Sequence, residues 1–283
     1  MKQFDKIRVL NTNDPIFDDT FLQITDPEIA ESESVDKIVD EIIRAVIDDR
    51  DGALLEYTNR FDGRNCRHIG DLIVTHDDLE HAKMEVEPNI LEALELAAKR
   101  IETYHQHQVQ KSWQYLEKDG NLLGQKITAI ERVGVYVPGG KASYPSSVLM
   151  NVIPARIAGV NEIIMVVPAP KGEVNPSVLA AAALVGVEEI WTIGGAQAVA
   201  GLAYGTQSLK KVDKIVGPGN IYVASAKRKL FGKVGLDMVA GPSEIVIICD
   251  GGTNPDWIAM DLFSQAEHDE NAQAVLLSWD ESF

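Results

Sequence analysis

Gln265 and His268 are the residues of this chain whose types and spacing most directly suggest chemistry. They lie three positions apart at the end of an amphipathic segment that begins at Asn254-Pro255, a pattern that predicts a helix. On a helix this spacing places both side chains on one face, where an amide oxygen and an imidazole nitrogen can bind the same metal ion. Glutamine is an uncommon ligand, so a solvated, acidic helix end is the competing interpretation.

Glycine clusters recur in the second half of the chain. They are Pro138-Gly139-Gly140, Gly194-Gly195, Gly217-Pro218-Gly219 and Gly241-Pro242. All but the last directly follow a predicted strand, where doubly wound sheets bind ligands and where glycine lets backbone amides approach a phosphate. None fits G-x-G-x-x-G, because Tyr222 stands where the third glycine is required. Tight turns at the strand ends are the competing interpretation.

Polar side chains accompany these glycines. Tyr136, Gln197, Asn220 and Ser243 each lie within a few positions of a predicted strand end. Taken singly, each side chain is better explained by a hydrogen bond within a turn or by contact with solvent than by a ligand. Because the carboxyl ends of parallel strands share one edge of a sheet, their common placement predicts a ligand site there.

The other five histidines carry no comparable signal. They are His68, His76, His81, His105 and His107, all in the polar first half of the chain. We expect them to be solvated or locally hydrogen-bonded. No Ser-His-Asp or Cys-His arrangement is recognisable in the sequence.

Composition narrows the class of protein. The 283 residues carry a formal net charge of -17 and are 45% hydrophobic, which predicts a globular protein that neither nucleic acid nor an anionic membrane would attract. A small molecule is the expected partner. Cys66 and Cys249 form no disulfide spacing pattern, and the polar, acidic start does not resemble a signal peptide. Apolar runs are too short to span a bilayer, so we expect a cytoplasmic protein.

The order of elements predicts an α/β fold. Apolar residues at helical spacing from Val35 to Ile47, with Ser34 as a candidate N-cap and Gly52 just past the end, begin a mostly helical part that extends to about residue 125. From Lys126, short β-rich runs alternate with helical segments as far as Cys249. This alternation predicts a parallel sheet with helices on its faces.

Five segments together resemble the histidinol dehydrogenase family, in the family's order and spacing. They are Gly134-Val-Tyr-Val-Pro-Gly-Gly-Lys-Ala, Gly194-Gly-Ala-Gln-Ala-Val-Ala, Val216-Gly-Pro-Gly-Asn-Ile-Tyr-Val, Ala240-Gly-Pro-Ser-Glu and Ser264-Gln-Ala-Glu-His. The resemblance covers essentially all of residues 30–283. It implies a zinc-containing homodimer that oxidises L-histidinol to L-histidine through the aldehyde with NAD, in the last two steps of histidine biosynthesis.

The resemblance also implies roles for individual residues. Tyr136, Gln197 and Asn220 match residues that contact NAD. Ser243 matches a substrate contact, and Gln265 and His268 match two zinc ligands that also border the substrate. In the family the metal anchors the substrate's imidazole and amine, while a glutamate-histidine pair transfers the protons.

The fold that the resemblance implies is a pair of incomplete Rossmann-like domains, as in aldehyde and histidinol dehydrogenases, with the second inserted into the first. We expect an N-terminal arm at 1–30, a first α/β domain formed by 31–131 and 243–283, and a second, NAD-contacting domain at 132–242.

Family members continue beyond the position of Phe283, and that continuation carries the acid-base pair and the remaining zinc ligands. The sequence therefore predicts no catalytic residue within the chain and an inactive protein if the chain acts alone. Two alternatives stay open: a related zinc and NAD dehydrogenase of another polyol, such as a sulfonated diol, and a non-catalytic remnant that keeps a nucleotide cleft.

Overall fold

The structure is a computed structural model that describes residues 9–25, 29–139, 144–239, 244–267 and 272–280, without the side chains of residues 23–33. Its helices are α1 (Phe17–Thr25), α2 (Ile29–Asp49), α3 (Asp51–Asp62), α4 (His76–Glu85), α5 (Pro88–Gln106), α6 (Pro145–Ile157), α7 (Pro176–Leu184), α8 (Gly195–Tyr204), α9 (Ile221–Leu230) and α10 (Pro255–Ala266). Its strands are β1 (Trp113–Leu116), β2 (Leu122–Gln125), β3 (Arg132–Tyr136), β4 (Glu162–Val166), β5 (Glu189–Trp191), β6 (Lys214–Val216), β7 (Gly235–Leu236), β8 (Glu244–Cys249) and β9 (Gln273–Ser278). No described helix is long and apolar enough to cross a membrane.

A five-stranded parallel sheet forms the centre of the molecule, in the order β5-β4-β3-β6-β7. The chain builds β3, β4 and β5 toward one side and then returns past β3 to add β6 and β7 on the other. This order is that of a doubly wound, Rossmann-like sheet, and its direction of growth reverses between β3 and β6. The predicted α/β fold with a parallel sheet is confirmed.

Side chains alternate between the two faces of the sheet, as the period of a strand requires. On β3, Val133 and Val135 join the apolar cluster on one face, whereas Tyr136 joins the cluster on the other. On β4, Met165 and Val166 are divided in the same way. Both faces are therefore buried, which explains why these strands are apolar runs instead of strictly alternating sequences.

Helices of the first part of the chain cover both faces. Helices α6 and α7 pack on one face and are covered by α4 and α5, while α8 and α9 pack on the other and are covered by α2 and α3. Polar contacts fix α2 against α9: the hydroxyl of Ser225 donates to Asp36 at 2.5 Å, and Lys229 pairs with Asp40 at 2.9 Å. The central sheet therefore completes its core with residues that precede it by far in sequence.

An arginine ties together the amino ends of three strands. Arg132 begins β3 and pairs with Glu162 and Glu189, the first residues of β4 and β5. The side chain of Arg132 is only 9% exposed, so these two carboxylates balance a nearly buried charge. This cluster lies at the edge of the sheet opposite to the strand ends that carry the glycine loops.

Local structure differs from the sequence prediction at four places. Helix α2 begins at Ile29, so Ser34 lies inside the helix and is not its N-cap. The break between α2 and α3 is at Arg50, whose φ is 53°, and Gly52 belongs to α3. The part expected to be mostly helical also contains the antiparallel β1–β2 hairpin, all of whose residues are exposed. The segment expected as an arm contains α1.

The last described segment forms a small unit of its own. Strands β8 and β9 pair in parallel, α10 connects them, and the chief contacts of α10 are with these two strands. Apolar side chains of α10 are largely exposed, namely Trp257, Met260 and Phe263. The proposed division into an arm, a first domain of 31–131 with 243–283 and an inserted domain of 132–242 stays a prediction.

Candidate functional site

The candidate site lies at the carboxyl edge of the central sheet, where β3 and β6 diverge. Gly217 directly follows β6 and has a φ of +108°, a conformation that suits glycine. A Cβ atom at this position would lie 2.0 Å from the carbonyl oxygen of Tyr136, at the end of β3. The two strand ends therefore touch backbone to backbone, and only glycine permits this approach. Doubly wound sheets bind their ligands at such a reversal point.

Three neighbouring loops converge beside this point. A Cβ atom at Gly139, after β3, would lie 2.8 Å from the carbonyl oxygen of Pro168. One at Gly194, after β5, would lie 2.5 Å from the Cβ atom of the same proline, which itself follows β4. The glycine clusters thus permit close packing between loops. The interpretation as tight turns and the interpretation as a ligand cradle are both consistent with this geometry.

Tyr136 connects β3 to the start of α8. Its hydroxyl oxygen accepts a hydrogen bond from the backbone amide of Gly195 at 3.0 Å. The side chain is 3% exposed, and this burial raises the pKa of Tyr136 to about 12, with a smaller contribution from the nearby charge of Asp62. The phenol is therefore neutral throughout the physiological pH range and keeps one hydrogen available for donation.

Gln197 lies in the first turn of α8, beside Tyr136 and Gly195. It is 2% exposed, and its Oε1 atom is a buried acceptor for which the described residues supply no donor. The same oxygen would be 2.7 Å from a Cβ atom at Gly195, so it lies directly over that glycine. An unsatisfied buried acceptor costs about 1–3 kcal/mol, which a ligand with a suitably placed donor would recover.

Asn220 is the N-cap of α9, on the β6 side of the reversal point. Its Oδ1 atom accepts hydrogen bonds from the amides of Tyr222 and Val223, both at 3.1 Å. This is the usual role of asparagine at a helix start, and it was one of the alternatives open from sequence. The side chain is exposed, and within the described residues no partner occupies its Nδ2 group. Asn220 can therefore cap the helix and donate to a ligand at the same time.

A largely buried ion pair holds the loop between β6 and Asn220 in place. Lys227 is 2% exposed, pairs with Asp237 and donates to the carbonyl oxygen of Gly217 at 3.0 Å. The other carboxylate oxygen of Asp237 accepts from the amide of Gly217 at 2.8 Å. Both polar groups of Gly217 are thus bound to this pair, which fixes the backbone that leads to Asn220.

The structure brings the three predicted cofactor residues to one edge. Tyr136 and Gln197 meet at Gly195, and Asn220 follows the loop that crosses Tyr136. Their assignment to NAD stays a prediction, since no observation tests the individual contacts.

The predicted metal ligands are only partly visible. Gln265 is half-buried in the last turn of α10. His268 and Ser243 lie outside the described residues. Within the described ranges, no three His, Cys, Asp or Glu side chains are grouped closely enough to hold a metal ion. The described residues therefore do not form a zinc site by themselves.

A segment from the first part of the chain, which no sequence pattern marked, reaches the same edge of the sheet. The carboxylate of Asp62, the last residue of α3, accepts from the amide of Ala169 after β4 at 3.2 Å. Arg64 donates to the hydroxyl and the carbonyl of Thr192 after β5, at 2.7 and 3.2 Å. Sequence patterns did not mark Lys227 and Asp237 either. No local pattern marks these residues, because their partners are supplied by other elements of the fold.

Comparison with known proteins agrees with the five matched segments. A profile of the histidinol dehydrogenase family matches residues 26–283. Curated histidinol dehydrogenases of Pseudomonas syringae and Pseudomonas putida are 58% and 59% identical over 98% and 97% of this chain. Each of these alignments covers 62% of the relative, so the chain spans about 62% of the length of the curated proteins that it matches.

A solved structure gives the same result. The crystal structure of histidinol dehydrogenase from Elizabethkingia anophelis matches with a TM-score of 0.78 and 35% identity, over 90% of this chain and 61% of that one. The family resemblance is confirmed both by sequence and by fold. This chain belongs to the histidinol dehydrogenase family.

Proposed function

We propose that the protein containing this chain is an NAD-dependent oxidoreductase that converts L-histidinol to L-histidine through the aldehyde. The substrate is supported by the identity of 58% to proteins named histidinol dehydrogenase. NAD binding is carried by one observation in the structure: the buried Oε1 atom of Gln197, to which no described residue donates a hydrogen bond, lies over Gly195 at the start of α8, beside the end of β3. A ligand rich in hydroxyl and amide groups would satisfy it.

The described residues fit a dinucleotide in other respects. The glycines at this edge leave backbone free of side chains, and α8 begins there with the amide of Gly195 already oriented by Tyr136. Asn220 lies on the opposite side of the reversal point, and no residue in the described ranges accepts from its Nδ2 group. NAD supplies the hydride acceptor for the reaction. Tyr136, Gln197 and Asn220 act in binding and orientation, and we assign no proton transfer to them.

For the substrate and the metal we propose Ser243, Gln265 and His268. Gln265 is the only one of these within the described residues, at the end of α10. Zinc supplies an anchor for the substrate's imidazole and amine. The described carboxylates and imidazoles do not complete a ligand set, so no step of the reaction is derived through the metal.

We further propose a homodimer that acts in the cytoplasm. The exposed β1–β2 hairpin supports self-association, since Trp113 and Tyr115 stack on its surface and Leu116 is 70% exposed. A reducing compartment is supported by Cys66 and Cys249, which are free thiols. Light scattering after size-exclusion chromatography would measure the mass of the assembly, and a strictly monomeric mass would contradict the dimer.

The test of the function combines binding with turnover. Protein expressed from the complete reading frame, with zinc added, should bind NAD in calorimetry and form NADH when L-histidinol is supplied. Gln197→Ala should weaken NAD binding about 10-fold or more, because truncation removes the buried amide that orients the nucleotide. Glu56→Ala, on the neighbouring helix α3, is the matched control and should bind NAD like the wild type.

Two results would reject parts of the proposal. Absence of NAD binding by a folded protein would reject the cofactor assignment. The protein could also bind NAD, form no NADH from histidinol and oxidise another polyol. This result would support the first alternative, a related zinc and NAD dehydrogenase of another polyol.

A further inference from the structure

Asp62 has a half-buried carboxylate that lies at the edge of the central sheet. The residue belongs to α3 and not to the sheet. It ends α3, and its side chain is partly withdrawn from solvent beside the loop after β4. Burial raises the pKa of Asp62, and the hydrogen bond from the Ala169 amide only partly offsets this effect. The protein therefore keeps a carboxylate where its charge is energetically costly. A residue retained at such a cost is a candidate for a functional role.

The position of Asp62 is fixed from two directions. Its own carboxylate accepts from Ala169 at 3.2 Å, at the carboxyl end of β4. Two residues further on, Arg64 binds Thr192 at the carboxyl end of β5 and the carbonyl of Asp71 at 3.0 Å. The turn after α3 is thus attached to the ends of two adjacent strands. It holds Asp62 on the same edge of the sheet as Tyr136, whose phenol is near enough to be affected by the charge of Asp62.

Asp62 occupies a position that contacts the nucleotide in other doubly wound sheets. There, the end of the second strand of the unit carries an acidic residue that binds the ribose hydroxyls of NAD. In this chain β3 is the first strand and β4 is the second. The residues that follow β4 are Val167, Pro168 and Ala169, and none of them carries a carboxylate. Asp62 brings a carboxylate to this strand end from outside the sheet.

We propose that the carboxylate of Asp62 binds the adenosine ribose hydroxyls of NAD and thereby selects NAD against NADP. This inference rests on the proposed NAD site at the reversal point. Among the described residues, the Ala169 amide is the only hydrogen-bond donor to Asp62, so one carboxylate oxygen remains available to a ribose diol. A 2′-phosphate at the same place would meet a negative charge instead of a hydrogen-bond acceptor.

The nearest cation does not reverse this preference. A guanidinium near the end of the second strand can accommodate a 2′-phosphate. Arg64, however, donates to Thr192 and to the carbonyl of Asp71, and these bonds direct its guanidinium to the end of β5. Its charge has only a minor effect on Asp62 compared with burial. The negative charge of Asp62, and not the positive charge of Arg64, therefore determines which ligand groups the end of β4 accepts.

The experiment compares wild type, Asp62→Asn and Asp48→Asn, expressed from the complete reading frame. Calorimetry gives the dissociation constants of NAD and NADP, and thermal unfolding without nucleotide gives the stability. Asparagine keeps the acceptor for the Ala169 amide but removes the charge. We expect Asp62→Asn to bind NAD about 10- to 100-fold more weakly, to bind NADP no worse, and to unfold at the same or a higher temperature. Asp48→Asn removes an exposed charge from α2 and should leave all three values unchanged.

The possible failures are distinguishable. A wild type that binds no NAD rejects the proposed function and this inference together. If the wild type binds NAD and the Asp62→Asn variant keeps the same preference for NAD over NADP, only the inference about Asp62 is rejected. Equal losses for both nucleotides together with a lower unfolding temperature would show that Asp62 is structural, and this result also overturns the proposal.

Discussion

Lys227 and Asp237 form a buried ion pair that binds both backbone polar groups of Gly217. The lysine is 2% exposed and the aspartate 29%, so the pair is largely withdrawn from water. Its function is to hold the loop between β6 and α9 against the end of β3. The loop carries Asn220, so the stability of the fold and the proposed nucleotide site depend on the same contact.

Lys227→Met should destabilise the protein by about 3–5 kcal/mol, because it leaves the carboxylate of Asp237 without its partner. NAD binding should weaken as well, since Gly217 loses an anchor. Lys229→Met is the matched control on the same helix: its partner Asp40 is 52% exposed, and such a pair contributes at most about 1 kcal/mol. Chemical denaturation and calorimetry measure the two quantities. Equal effects of the two variants would contradict the role assigned to Lys227.

Gly217→Ala tests the close approach of the strand ends. The added Cβ atom would lie 2.0 Å from the Tyr136 carbonyl oxygen at a φ of +108°, so we expect a loss of roughly 2–5 kcal/mol in the free energy of unfolding. Gly232→Ala has a φ of +89° but nothing within 4 Å of the added atom, so it should cost only roughly 1–2 kcal/mol. Equal stability of the two variants in denaturant titrations would contradict the close contact between β3 and the loop after β6.

Gln197→Met should separate stability from binding. Methionine fills a similar volume without a buried acceptor, so the nucleotide-free protein should gain about 1–3 kcal/mol while NAD binding weakens. Thermal unfolding with and without NAD measures both effects. If the nucleotide-free variant were destabilised, the Oε1 atom of Gln197 would have a hydrogen-bond donor within the protein. The argument that a ligand supplies this donor would then be contradicted.

Tyr136 makes stability depend on alkaline pH. Because burial raises its pKa to about 12, the folded state favours the neutral phenol, and this contribution is complete below the ordinary pKa of about 10 and is lost as the pH rises toward 12. Tyr136→Phe should therefore lose less stability over that interval than the wild type. Tyr115→Phe changes an exposed ring of β1 and should follow the wild type. Denaturant titrations at a series of pH values decide, and parallel curves for wild type and Tyr136→Phe would contradict the prediction.

Arg132→Met should reduce stability without changing NAD affinity. The substitution leaves Glu162 and Glu189 without their cation at the amino edge of the sheet. Because these carboxylates are 54% and 38% exposed and water can solvate them, we expect a cost of only about 1–2 kcal/mol. The proposed nucleotide site lies at the opposite edge. Arg100→Met, an exposed arginine of α5, is the control and should have little effect on either quantity. Weaker NAD binding by folded Arg132→Met protein would contradict the placement of the site.

The sequence predicted the central sheet well because its signals are local. Asn175 and Pro176, residue types typical of a helix start, begin α7, and the Asn175 side chain accepts from the Ser177 amide. Helix α5 likewise has Pro88 at its first position. The predicted start of α2 was wrong, because residues 29–33 continue the helix although the apolar repeat begins only at Val35.

The contacts between distant parts of the chain were not predictable. An amphipathic pattern shows that α2 has an apolar face but does not show that α8 and α9 cover it. For the same reason the approach of Asp62 to Ala169, which are 107 positions apart, left no trace in the local sequence. Tyr136, Gln197 and Asn220 could be proposed from the sequence because each adjoins a strand end. The residues that hold those loops in place were missed because only the folded chain brings them together.

The attachment of α2 to α9 has a consequence for synthesis. Asp36 and Ser225 bind each other across 189 positions, so a ribosome that adds about 5–20 residues per second exposes α2 roughly 10–40 s before its covering helices exist. During this interval the apolar stripe of Val39, Ile42 and Val46 has no native cover. We therefore expect this stripe to be accessible to chaperones during synthesis, and the native core around α2 to close only after α9 has emerged.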